Sequence, residues 1–126
     1  MRYFDKQRNE VEMRDLTRLF KALSDPNRLR IIAMLAVRPL CVCEITAVLG
    51  LSTSTVSKHL SILRDVDLIL DEKDGKWVNY SLNRNGGGDF AAEILPLVES
   101  RLDGESAAQR DRQAVHSVDR HSICGT

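Results

Sequence analysis

The sequence predicts a mainly α chain with a small β-hairpin, a winged helix-turn-helix that works as a dimer. Three observations predict it. Two short amphipathic segments are joined by a tight turn at Gly50. Two strand-like runs follow directly, on either side of Asp74-Gly75. Aromatic residues make up only 5% of the chain against 43% hydrophobic residues. The core must therefore come from Leu, Ile, Val and Ala, which suits packed helices better than a β-sandwich.

The elements follow in order. Residues 1–9 are polar and are expected to form a flexible arm. From Glu10 onward Val11, Leu16, Leu19, Phe20 and Leu23 recur at helical spacing. Ser24-Asp25-Pro26 ends this helix and starts the next, with Asp25 as N-cap and Pro26 at the first helical position, where a missing N–H costs nothing. Leu29, Ile32, Ala33 and Leu35 give the second helix its buried stripe, and Arg38-Pro39 closes it. A third helix is predicted from about Cys43 to Leu49, with Gly50 as a left-handed cap. Ser52 or Thr53 caps a fourth, which carries Val56, Leu60 and Leu63. Leu68–Leu70 and Trp77–Leu82 are the predicted strands, with Asp74-Gly75 as a two-residue turn. After Gly86-Gly87-Gly88, Phe90, Ile94, Leu97, Val98 and Leu102 mark a last helix, which Pro96 should bend or cut short. Residues 103–126 are weakly patterned and are expected to be a mobile tail. Residues 10–102 then form the DNA-binding and dimerisation domain.

Length and charge narrow the function. At 126 residues the chain favours one domain. Lys and Arg number 18, as do Asp and Glu, for a net charge of +0. A nucleic-acid binder with that balance must gather its cations on one face. No apolar run approaches the roughly 18 residues that cross a bilayer. The first residues lack the apolar core of a signal peptide. A cytoplasmic protein with no membrane partner is the expectation.

The fourth helix supplies a DNA-reading face. Ser52, Thr53, Ser54, Thr55, Ser57 and Ser61 are small and hydroxylated, so the backbone can approach a groove closely and donate to phosphates or base edges. Lys58, His59 and Arg64 reach further. Lys73 and Lys76 flank the hairpin turn and are candidate phosphate contacts, although Asp71, Glu72 and Asp74 lie beside them. One such helix reads few base pairs, so specificity calls for a homodimer on double-stranded operator DNA, with half-sites about 34–36 Å apart. Leu16, Leu19 and Phe20 on the first helix, with Phe90, Ile94, Leu97, Val98 and Leu102 on the last, are the candidate dimer surface.

Cys41 and Cys43 stand at the start of the third helix, within the helix-turn-helix itself. In a reducing compartment, metal or redox chemistry explains such cysteines better than a disulfide framework. Two thiols select soft ions over magnesium or calcium. In an ideal helix, residues two apart point about 200° away from each other. In extended chain they face the same side. Chelation of one ion should therefore hold residues 41–43 extended or unwind the start of the third helix. The alternative for these cysteines is burial as small hydrophobes.

Four segments together resemble the arsenical-resistance repressor (ArsR/SmtB) family of dimeric winged-helix metal sensors. They are Leu23-Ser24-Asp25-Pro26-Asn27-Arg28, Leu40-Cys41-Val42-Cys43-Glu44-Ile45, Thr55-Val56-Ser57-Lys58-His59-Leu60 and Gly75-Lys76-Trp77-Val78-Asn79-Tyr80. The Leu-Cys-Val-Cys-Glu segment is similar to the arsenite-responsive branch. That resemblance implies a repressor, not an enzyme, in which both cysteines ligate trivalent arsenic or antimony as inducer and DNA is released. Thr46 departs from the branch, which often has a third cysteine there. Trivalent arsenic commonly takes three sulfurs, and Cys124 is the candidate third, since a flexible tail of roughly 22 residues spans about 25 Å. The zinc-sensing branch uses Asp, His and Glu on the last helix; Asp89, Glu93 and Glu99 are present there without a His. Alternatives are a thiol-based redox or sulfur-species repressor and a cadmium or zinc sensor of the same family.

Overall fold

The computed structural model describes residues 2–84 and 90–123, with side chains from Met13 onward. Ten elements follow one another: α1 (Arg2–Leu23), α2 (Pro26–Leu35), β1 (Leu40–Cys41), α3 (Val42–Leu49), α4 (Thr53–Asp65), β2 (Ile69–Asp74), β3 (Trp77–Leu82), α5 (Phe90–Leu102), α6 (Ser106–Val115) and α7 (Arg120–Ile123). The architecture is the expected mainly helical one with a small antiparallel sheet.

Local chemistry sets the helix boundaries. Asp25 caps α2, accepting from the N–H groups of Asn27 at 2.8 Å and Arg28 at 3.2 Å. Partial burial opposes ionisation of Asp25. The N–H groups of Arg28 and Asn27 and the Arg28 charge outweigh that and hold its carboxyl below the usual range. Gly50 closes α3 with φ 71, a left-handed conformation that glycine adopts without penalty. Its N–H donates to the Thr46 carbonyl at 2.8 Å. Two residues later Ser52 caps α4, its hydroxyl accepting from the Thr55 N–H at 3.2 Å.

The sheet has three strands in the order β1-β3-β2, one more than the predicted hairpin. Leu40 and Cys41 pair with Tyr80 and Asn79 of β3. The hairpin register runs from Ile69 opposite Leu82 to Asp74 opposite Trp77. Its two-residue turn is therefore Gly75-Lys76, one position later than expected, with Gly75 at φ 61.

The core is aliphatic, as the composition requires. Ile31, Ile32, Met34, Leu40, Ile45, Val56, Leu60, Leu63, Leu68, Ile69, Leu95 and Val115 are its largest fully buried side chains. At about 25 cal/mol per Å² of apolar surface, each contributes roughly 1.5–3 kcal/mol. Val56, Leu60 and Leu63 pin α4 to the same cluster that holds Ile45 of α3, so the helix-turn-helix has one shared seat.

Four expectations need correction. The first helix begins at Arg2, not near Glu10, so the predicted arm is helical in backbone. Of the two outcomes expected at Pro96, a bend or a cut, the cut does not occur: α5 runs through it to Leu102. Leu19 and Leu102, expected on a partner-facing surface, are buried in the chain's own core at 3% and 9% exposure. Helical spacing marks an apolar stripe but does not say which neighbour covers it. Finally, residues 106–115 are not a mobile tail. They form α6, whose Ala108 and Val115 are buried against α2. Asp111 of α6 grips Arg30 of α2 through both oxygens, at 2.7 and 2.9 Å. That bidentate, largely buried pair raises the Arg30 pKa further above its usual range.

Candidate nucleic-acid interface and thiol site

The solvent face of α4 is polar and open. Thr53, Ser54, Thr55, Ser57, Lys58, Ser61 and Arg64 are all exposed, as is the capping Ser52. Their order along one helix places hydroxyls at the N-terminal end, where unsatisfied backbone N–H groups also point outward. His59 is half-buried, with Nδ1 3.2 Å from Nη1 of Arg28. Arg28 also donates from Nε to the Ala22 carbonyl at 2.6 Å and from Nη2 to Lys21 at 3.2 Å. One guanidinium thus fastens the end of α1 to the middle of α4.

The β2–β3 hairpin projects as a wing whose β2 residues are exposed after Ile69. Lys73 lies exposed near the end of β2, and Lys76 lies exposed within the turn itself. Two of the three neighbouring carboxylates are paired by arginines from other elements. Arg64 reaches Asp71 at 3.1 Å, and Arg120 of α7 reaches Asp74 at 2.9 Å. The Arg120 guanidinium holds the Asp74 carboxyl below the usual carboxylate range. Trp77 carries Lys76 Nζ 4.8 Å and the Arg120 guanidinium carbon 4.2 Å from its ring centre.

The thiol pair sits where wing and helix-turn-helix meet. Cys41 is extended, at φ −90 and ψ 168, and belongs to β1 while capping α3. Cys43 already lies within α3. Cys41 is buried at 2% exposure and Cys43 is half-buried. Cys41 and Glu44 form a capping box, with the Cys41 N–H donating to Glu44 Oε1 at 3.0 Å. Burial pushes the Cys41 thiol pKa up. The N–H groups of Glu44 and Cys43 pull it down, and the Glu44 carboxylate works in the same direction as burial. Glu44, itself buried, also receives Arg38 Nη2 on Oε2 at 3.3 Å. Cys124, the candidate third sulfur ligand, lies outside the described residues, as does Asp89.

Of the remaining predicted residues, Phe20, Phe90 and Leu97 are exposed at 50%, 46% and 58%. Leu16, Ile94 and Val98 are half-buried. The Phe20 and Phe90 rings meet edge to face, with centroids 6.4 Å apart, so α1 and α5 present one apolar face. Glu99 is held by both terminal nitrogens of Arg84, at 2.9 and 2.7 Å. Among the described residues, no group of three or more His, Cys, Asp and Glu side chains is arranged to hold a metal ion.

Four residues around the site were not singled out from sequence: Arg28, Arg38, Glu44 and Arg120. Only Glu44 carried a local signal, the three-residue spacing of a capping box after Cys41. No helix among the described residues is long and apolar enough to cross a membrane.

Residues 25–70 match the family described as "Bacterial regulatory protein, arsR family". An arsenical resistance operon repressor of Bacillus subtilis is 40% identical over 103 residues, covering 80% of this chain and 97% of that protein. An arsenical resistance operon repressor of Escherichia coli is 46% identical over 66 residues. That alignment covers 52% of this chain and 56% of the relative's length. Among solved structures, the homodimeric winged helix-turn-helix DNA-binding domain of a possible ArsR-family regulator from Mycobacterium bovis superimposes with a TM-score of 0.64. It is 26% identical, over 78% of this chain and 87% of that one.

Proposed function

The chain belongs to the arsR family of bacterial regulatory proteins, and from that premise we propose that it is a dimeric, DNA-binding transcriptional repressor which trivalent arsenic or antimony removes from its operator. Cys41 and Cys43 ligate the metalloid. α4 lies in the major groove with Thr53, Ser54, Thr55, Ser57, Lys58 and Ser61 toward the bases, and Arg64, Lys73 and Lys76 serve the phosphates.

One observation carries this reading: Cys41 is the extended cap of α3 and Cys43 is inside its first turn. Helical residues two apart point about 200° from each other while extended ones face the same side, so bringing both sulfurs onto one atom calls for the first turn of α3 to open. α3 packs on α4 through the shared core, so the opening reaches the DNA-reading helix. A coupling of about 1–3 kcal/mol changes DNA affinity roughly 5–150-fold. Cys124 supplies the third sulfur. α7 packs on α3, and its described residues reach Ile123, directly before Cys124 in sequence, which supports this assignment. The exposed Phe20, Phe90 and Leu97 face is the dimer surface, and it sets two α4 helices on successive half-sites.

The test is an anisotropy titration of a labelled duplex carrying the DNA upstream of the chain's own coding sequence, with arsenite, cadmium and zinc in reducing buffer. Arsenite should release the duplex. Cys41→Ser and Cys43→Ser should each keep duplex binding and lose the release. Release by arsenite from both variants would place the inducer site elsewhere.

A further inference from the structure

The segment from Val115 to His121 bridges the surroundings of the cysteines and the wing. At one end, Arg38 Nη2 donates to the carbonyls of Val115 at 3.2 Å and Val118 at 2.9 Å, while also contacting Glu44. At the other end, Arg120 spans two wing residues, donating to Asp74 Oδ2 at 2.9 Å and Asn79 Oδ1 at 3.1 Å. Its guanidinium lies over Trp77, and the His121 ring meets Trp77 edge-on at 5.0 Å. Asn79 is also the residue that pairs with Cys41 in the sheet. An open cavity of about 390 Å³ lies between these contacts, lined by Arg38, Glu44, Asn79 and Arg120 among others.

Charge makes the Arg120 contact more than a tether. The wing carries Asp71, Glu72 and Asp74 against Lys73 and Lys76, so alone it is net acidic. A phosphate backbone repels such an element. Arg64 offsets Asp71, and Arg120 offsets Asp74 at the turn, next to both lysines.

We infer that Arg120 is a positioning residue for DNA binding: it fixes the wing against the body and neutralises Asp74, so that Lys73 and Lys76 meet the phosphates. The electrostatic half rests on the DNA-binding reading above; the mechanical half does not.

The experiment uses the full chain and two readouts, affinity for the upstream duplex and amide hydrogen exchange across residues 69–82. Arg120→Ala should raise wing exchange and weaken duplex binding about tenfold. Asp74→Asn alone should bind at least as tightly as the parent. Adding Asp74→Asn to Arg120→Ala should bring affinity back to within about threefold of the parent, a rescue that loss of packing alone would not produce. Parental affinity in Arg120→Ala, or a double variant as weak as the single one, would overturn the electrostatic role. Unchanged wing exchange in Arg120→Ala would overturn the positioning role, even if the parent failed to bind this duplex and the DNA-binding reading itself fell.

Discussion

Glu44→Gln should make the protein bind arsenite more tightly. Glu44 is 3% exposed, and its Oε1 accepts the Cys41 N–H at 3.0 Å, holding the first turn of α3 closed. A buried hydrogen bond to a charged acceptor contributes about 1.5–3 kcal/mol, and a neutral one roughly half of that. An amide can still accept from Cys41, so the substitution weakens the cap by about 1 kcal/mol without deleting it. If chelation must open this turn, the metalloid then opposes about 1 kcal/mol less, and its affinity rises about fivefold. Removing the carboxylate also takes away one of the influences that raise the Cys41 thiol. Isothermal titration calorimetry with arsenite on reduced protein measures the change, and a denaturant melt checks that the variant stays folded. A folded variant whose arsenite affinity is unchanged or lower would refute the link between chelation and the α3 cap.

Three further expectations follow from the same contacts. Asp111→Ala removes a bidentate partner of Arg30 and leaves a guanidinium without its carboxylate. It should cost about 2 kcal/mol in urea unfolding; an unchanged midpoint would show that this pair adds nothing to the fold. The Cys41 thiol is raised in the folded chain, so the folded state holds that proton more tightly. The resulting stability is complete below the unfolded thiol pKa and is lost as pH rises through the folded value. Unfolding free energy should therefore fall on the alkaline side of the ordinary cysteine range, and Cys41→Ser should remove that fall. Leu97→Glu puts a charge on the exposed α1–α5 face. It should convert a dimer to a monomer in sedimentation analysis and weaken duplex binding at least tenfold; a variant that stays dimeric would move the interface elsewhere.

Capping chemistry was legible in the sequence because it is local. Asp25-Pro26, Gly50 and Ser52 each satisfy or relieve backbone groups within a few residues, and in the structure they start α2, end α3 and start α4. The turn was legible only to within a position, since Asp74 and Lys76 both suit a site beside Gly75. What escaped depends on distant partners. β1 is two residues long and exists because Leu40 and Cys41 meet Tyr80 and Asn79. α6 carries only Ala and Val as apolar residues, and its place depends on Ala108 and Val115 in the core and on Asp111 meeting Arg30, far away in the chain. The same limit applies at the site. Ser54, Lys58 and Arg64 stand on a helix face that periodicity alone defines. Arg28, Arg38 and Arg120 act through contacts that no local pattern announces.

The most direct measurement is amide exchange of residues 42–46 in reduced protein, with and without arsenite. The account predicts that bound arsenite lowers protection in this first turn of α3 and that the duplex is released over the same titration. Protection that holds or rises while the duplex is released would contradict it, because the turn would then stay closed with both sulfurs engaged.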